Sequence, residues 1–172
     1  ANGGLSLAIV VPVSLWAASM ALQWRPDWWS GALGLALDLI ILDLWIYLWH
    51  RANHEVPFLW RFHEVHHLDR FPDVTSAVRF HFGEVMLSAL FRAALIIALG
   101  MPIESVIVFE IVVLTAAAFH HANMKLPRWF ERPLSKLIIT PSLHWVHHRR
   151  SRAETDSNYG LLFSFWDRLF GT

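Results

Sequence analysis

The stretch DLWIYLWHRANH, residues 43–54, begins as an apolar helix and ends in a pair of histidines. Asp43, Tyr47, His50 and His54 are spaced four, three and four apart, so on a helix they form one polar stripe while Leu44, Trp45, Ile46, Leu48 and Trp49 cover the other faces. Asp43 lies about 10 Å from His50 along the helix axis. A carboxylate in lipid is costly, which makes Asp43 a candidate either for fixing imidazole tautomers from outside a site or for lining a substrate path.

Beyond this stretch the histidines recur in boxes. His50 and His54 form HxxxH, His63, His66 and His67 form HxxHH, and His144, His147 and His148 form HxxHH again, with His81 and the His120/His121 pair between them. Residues three and four apart share a helix face with Cβ atoms roughly 5–6 Å apart, so each box presents two or three imidazoles to one point. Zinc takes four ligands and iron at most about six, so ten clustered histidines exceed one ion and point to two ions sharing a site. Which of His120 and His121 serves is open on spacing alone. The chain has no cysteine, which excludes iron–sulfur clusters, thiolate-ligated haem, Cys-zinc sites and disulfides.

Composition fixes the medium. The 172 residues are 55% hydrophobic and only 16% charged, too apolar for an ordinary soluble domain. Four stretches qualify as membrane spans, residues 5–22, 31–49, 83–99 and 103–119, each about 17–19 residues and so roughly 25–29 Å of helix. Pro12 is expected to kink the first, and Asp38, Asp43, Arg92, Glu104 and Glu110 interrupt the others. The N-terminal stretch reads as a span rather than a signal peptide, lacking a basic flank and a small-residue cleavage site.

If the spans alternate, every Lys and Arg except Arg25 and Arg92 falls on the side of residues 1–4, 50–82 and 120–172, and so does every histidine. The positive-inside rule makes that side cytoplasmic. The expected fold is therefore all-α: one integral-membrane domain over 1–172, with four transmembrane helices in two hairpins and a cytoplasmic helical cap holding a di-metal site. Trp24, Trp28 and Trp29 suit an interfacial belt, and Phe163, Phe165, Trp166 and Phe170 an amphipathic segment along the cytoplasmic interface. Asp38, Arg92 and Glu110 fall at one depth, about 16–18 Å from the histidine layer by helix rise, so one or both carboxylates are expected to pair with the buried Arg. Glu104, two residues after Pro102, suits the positive end of a helix dipole. No basic run is interleaved with base-stacking aromatics, so nucleic acid is not an expected partner.

The strings DLWIYLWHRANH (43–54), LWRFHEVHH (59–67), DVTSAVRFHFGE (73–84), FHHANMKLP (119–127), TPSLHWVHH (140–148), ETDSNYG (154–160) and WDRLFGT (166–172) together resemble the fatty acid hydroxylase superfamily, also called the sterol desaturase family. The resemblance implies a cytosol-facing di-iron centre that activates O2 and hydroxylates or desaturates a lipid, such as a sterol or fatty acyl chain; zinc could replace iron in purified protein. It implies His50, His54, His63, His66, His67, His81, His121, His144, His147 and His148 as ligands. His121 is preferred to His120 because Phe119, His121 and Asn123 meet the family's FxHxN pattern. Asp43, Tyr47, Asn123 and Asn158 are candidates for contacts behind the ligands.

The family commonly has Pro where Phe82 follows His81. Residues 1–30 carry no match, and a chain beginning with Ala and stopping at FGT is expected to be a fragment. With no cysteine and no glycine-rich nucleotide loop, electrons are expected from an external donor of the ferredoxin, rubredoxin or cytochrome b5 type, steered by Arg149, Arg150 and Arg152. The Arg-rich, Lys-poor composition favours a bacterial inner membrane over the endoplasmic reticulum. The rival readings are a membrane zinc or nickel binder or carrier, expected to set its ligands along the spans, and a non-catalytic member of the family.

Overall fold

A computed structural model of the chain describes residues 3–69 and 71–172, with side chains from Leu7 onward; Arg70, counted above among the cytoplasmic basic residues, lies outside them. The helices are α1 (Gly3–Ser19), α2 (Gly31–Glu55), α3 (Pro57–His63), α4 (Phe82–Ala98), α5 (Ile103–His121), α6 (Arg128–Leu134), α7 (Pro141–His147), α8 (Arg152–Thr155) and α9 (Phe165–Phe170). Among the described residues there is no strand, only a bridge between Ile138 and Phe163.

Two helices, α2 and α5, are long and apolar enough to cross a membrane. Only 33% and 28% of the residues in those stretches are fully buried inside the protein, and exposed apolar side chains such as Leu33, Leu48, Ile107 and Ile111 remain on their outer faces. The other two expected spans correspond to α1 and α4, which at 17 residues each fall short of that length. At 1.5 Å per residue α2 is about 37 Å long, some 7 Å more than a hydrocarbon core, and His50 and His54 lie in its last two turns. The helix assignment of α1 runs unbroken through Pro12.

The long helices share one apolar core in which Ala17 of α1, Leu42 and Ile46 of α2, Ala93 and Ile96 of α4, and Val106 and Phe109 of α5 are buried together. Polar pairs staple this bundle. Arg92 donates to Glu110 Oε1 at 2.8 Å, as the shared depth predicts, but Asp38 does not join them. Its carboxylate instead takes both guanidinium nitrogens of Arg25 and the Trp29 indole N–H, because the 20–30 loop folds back over the start of α2. The same loop seals the end of α4, where Leu22 N donates to Ile97 O at 3.0 Å and Trp24 Nε1 to Ala98 O at 2.7 Å. Gly100, at φ +62°, permits this closure: a Cβ there would sit 2.3 Å from Leu22 O. Glu104 lies in the first turn of α5, as its dipole argument requires.

The final segment does not lie free along an interface. Trp166 is buried and donates its indole N–H to Asp43 Oδ2 at 2.9 Å, while Leu162 N and Phe163 N donate to the same carboxylate at 3.1 and 3.2 Å. Asp43 is thus a clasp for the returning chain, because only a strong acceptor offsets three donors buried against an apolar helix. Asp167 repeats the device one layer up, accepting from Tyr159 N at 2.7 Å and Gly160 N at 3.0 Å. Of the expected amphipathic set, Phe170 is exposed on one side but stacks on Tyr47, while Phe163 and Phe165 pack against the cluster of Tyr47, Tyr159 and Trp166.

Candidate metal centre

The C-terminal ends of α2 and α5 meet the start of α4 and the short helices α3 and α7 in one histidine layer. His50 and His54 from α2, His63 from α3, His67 from the turn after it, and His147 from α7 form one group whose ligand atoms lie within 4.8 Å of one another. Every Nδ1 in this group has a partner. His50 Nδ1 donates to Tyr159 O at 2.8 Å, His63 Nδ1 to Glu84 Oε1 at 2.8 Å, and His147 Nδ1 to Ser157 O at 2.8 Å. His54 Nδ1 reaches Asp156 Oδ1 at 3.3 Å. His67 Nδ1 meets Thr155 Oγ1 at 3.4 Å, and Thr155 already gives its own hydrogen to His147 O, so the hydroxyl accepts.

These acceptors fix the tautomer: the hydrogen sits on Nδ1 and the Nε2 lone pair points inward. The Nε2 atoms of His50, His54 and His147 are buried without a hydrogen-bond partner among the described residues. His66, His121, His144 and His148 form a second group of the same kind, buried throughout. His121 Nδ1 donates to Ala117 O at 2.8 Å and His66 Nδ1 to Arg79 O at 3.3 Å, whereas the Nδ1 atoms of His144 and His148 have no such partner. The groups touch: the rings of His67 and His148 stack with centroids 4.4 Å apart.

The donor set fits a cation. Nε2 atoms lie 3.2 Å apart for His66 and His121, 3.0 Å for His121 and His144, 3.0 Å for His144 and His148, and 3.3 Å for His63 and His67. Where both Nδ1 atoms carry the hydrogen, as in His66 and His121, these are lone pairs facing lone pairs, which repel unless a positive charge lies between them. Metal–nitrogen bonds of roughly 2.0–2.1 Å put neighbouring ligands about 3.0–3.4 Å apart, the spacing seen here. Protons would do the same work poorly. Burial first, and neighbouring imidazoles second, push His66, His67, His144 and His147 well below the ordinary histidine range and His148 down to about 2. The rings are neutral, as metal ligands must be.

The histidines expected from sequence are therefore brought together, with one exception. His81 is exposed, stacks on Phe62, and uses Nδ1 to accept from Gly83 N at 3.0 Å, capping α4 rather than joining either group. His121 and not His120 enters the second group; His120 lies behind it, its ring 4.0 Å from that of His144. None of the four expected supporting residues bonds a histidine directly. Asp43 is the clasp already described, and Tyr47 bonds Thr172 Oγ1 at 2.9 Å beneath the stacked Phe170 ring. Asn123 is exposed. Asn158 is a turn residue at φ +54°, a left-handed geometry that Asn tolerates, and it lets the carbonyls of Ser157 and Tyr159 on either side aim at His147 and His50.

The contacts that do orient the rings come from Glu84, Thr155, Asp156 and four backbone carbonyls. Glu84 lies one helical turn after His81, and Thr155 and Asp156 fall inside the ETDSNYG string, so the strings pointed at them without giving their roles.

A cavity of about 180 Å³, mostly apolar, runs from His50, His63 and His121 down between the long helices to the Arg92–Glu110 pair. A wider groove of about 900 Å³, with Lys125, Arg128, Arg149 and Arg150 among its wall residues, reaches His67 and His148. Of the three expected steering arginines, Arg149 pairs with Glu154 and Arg152 with Asp156, so much of their charge is answered.

Comparison with known proteins agrees with this layer. The family model for fatty acid hydroxylase matches residues 35–172, from the first turns of α2 to the last residue. An ornithine lipid hydroxylase of Rhizobium tropici is 32% identical over 180 residues, covering 99% of this chain and 54% of that protein. An alkylglycerol monooxygenase of Danio rerio is 32% identical over 152 residues, covering 84% of this chain and 30% of that protein. A cholesterol 25-hydroxylase-like protein of Danio rerio is 29% identical, covering 80% and 54%. The chain thus spans about half, or less, of the length of the curated relatives it matches. No solved structure matches it. The matched region holds all nine grouped histidines and the residues that orient them, and the chain belongs to the fatty acid hydroxylase family.

Proposed function

We propose that this chain carries the catalytic centre of an O2-dependent membrane lipid hydroxylase holding two iron ions. One ion would be held by His50, His54, His63, His67 and His147, the other by His66, His121, His144 and His148. The observation that carries the reading is the junction of these two buried histidine groups, the first with every Nδ1 held by an acceptor, with an apolar cavity between the long helices. Iron bound there supplies O2 activation: one oxygen atom enters a C–H bond, the other leaves as water, and two electrons and two protons are consumed.

The chain's own residues have defined tasks in this reading. Glu84, Asp156, Thr155 and the carbonyls of Ser157, Tyr159, Arg79 and Ala117 hold the rings so that metal binding requires little reorganisation. Ile46, Val85, Val113 and Leu114 line the cavity with apolar surface that accepts a lipid chain and excludes water. Hydroxylation is favoured over desaturation because the named relatives are hydroxylases and monooxygenases. In this reading α1, α2, α4 and α5 span a bacterial inner membrane with the histidine layer on its cytoplasmic side, which the gathering of Lys and Arg on that side supports, and an acidic ferredoxin, rubredoxin or cytochrome b5 delivers electrons at the basic groove beside His67 and His148.

Metal analysis of protein purified from iron-replete cells should give close to two ions per chain, and lipid extracts of expressing cells should gain a species with one added oxygen atom. One ion or none sinks the two-ion site. A full metal complement with no oxygenated lipid, given a reducing system, sinks the hydroxylase.

A further inference from the structure

Asn53 lies one turn after His50 on α2, is 1% exposed, and lines the apolar cavity. Its side-chain amide offers two donors and an acceptor, yet neither Nδ2 nor Oδ1 has a hydrogen-bond partner among the described residues, not even a carbonyl of its own helix. Such isolation is rare for a buried amide, because desolvating it without compensation is costly. A second polar atom of the same cavity shares the condition: Glu84 gives Oε1 to His63, while Oε2 is buried without a partner. Arg92, deeper in the wall, gives Nη1 to Glu110 while its Nε is buried without a partner among the described residues; its charge is balanced by Glu110.

We propose that Asn53 is a specificity-determining residue: its amide, with the free Oε2 of Glu84, binds a neutral hydrogen-bonding group, a hydroxyl or an amide, on the lipid that fills the cavity. The inference rests on the lipid-hydroxylase reading. The chemistry follows from the two side chains. The Glu84 carboxylate accepts a hydrogen and repels an anion, and Asn53 both donates and accepts, so a hydroxyl or amide N–H satisfies the pair whereas a carboxylate does not. An alkyl chain alone leaves both unsatisfied. Held at this point near the histidines, the polar group fixes the register of the chain and hence which carbon is presented; Asn53 acts on position, not on the metal.

Binding to zinc-loaded protein in lipid nanodiscs tests this without turnover. Calorimetric titration with hexadecane, hexadecanol, hexadecanamide and hexadecanoate should rank the alcohol and the amide about tenfold or more above the alkane and the carboxylate, the scale of one buried hydrogen bond. Asn53→Leu should erase that preference while keeping the wild-type metal content, and Asn53→Ser should restore part of it. A preference unchanged in Asn53→Leu overturns the proposal, as does a wild type with no preference. Metal lost from Asn53→Leu together with a full preference in Asn53→Ser would make Asn53 a packing residue and also overturn it. Iron-loaded wild type that shows the preference but oxygenates nothing would leave this subsite standing and remove the hydroxylase reading instead.

Discussion

The five-histidine group and the four-histidine group are built to different tolerances. In the first, every Nδ1 has an acceptor; in the second, His66 and His121 have backbone acceptors while His144 and His148 have none. The first group therefore has its tautomers and ring angles set before any ion arrives, whereas the second lets two rings adjust. The difference follows from the chain. Residues 155–159 wrap the first group and supply four of its five acceptors, and no equivalent segment among the described residues wraps the second, where the His120 ring packs against that of His144.

The largest expected effect comes from removing one ligand from each half. His147→Ala should lose the ion of the first group and His144→Ala that of the second, and either should drop activity by more than the ~10–100-fold typical of residues acting behind a ligand. Metal analysis checks this, and two ions retained in both variants would mean that the groups do not divide the metals as described.

A smaller effect separates the acceptors within the stiff half. Glu84→Gln should weaken metal retention by about 10–100-fold, with Asp156→Asn nearer the low end, because the His63 contact at 2.8 Å is tighter than the His54 contact at 3.3 Å. Chelator competition measures both; equal effects would show that bond length does not grade these partners.

The smallest effect belongs to the histidine outside both halves. His81→Ala should leave metal content unchanged and cost about 0.5–2 kcal/mol of stability through the lost helix cap. Loss of an ion in this variant would place His81 in the metal layer after all.

How much of this was legible depends on what each residue touches. The boxes were readable because helical spacing alone brings imidazoles together, and the long helices because apolar runs are a local signal. His81 looked like the rest in sequence, but it sits at the start of α4, where the first unpaired N–H groups of the helix compete for its Nδ1. Of the two carboxylates expected at the depth of Arg92, Asp38 pairs elsewhere, because depth was estimated along helices and its partner Arg25 sits in a loop whose path no periodicity reveals. Arg92 and Glu110, both on long helices, were placed correctly by the same estimate. Asp43 was recognised as costly, yet its partners Leu162, Phe163 and Trp166 follow a chain reversal that cannot be read from the stripe it belongs to.

The clasp also sets an order of events during synthesis. Trp166 lies 123 residues beyond Asp43. At about 5–20 residues per second a ribosome needs roughly 6–25 s to cover that distance. For all of that time α2 sits in or near the bilayer with an unanswered carboxylate, which costs about 2.5–3.5 kcal/mol at a helix centre. Only when residues 155–167 emerge does Asp43 find its donors and do His50, His54, His67 and His147 find their acceptors. Metal loading therefore waits for residues 155–167, and a ribosome halted before Trp166 leaves a protein whose α2 is poorly held and whose first histidine group lacks most of its acceptors.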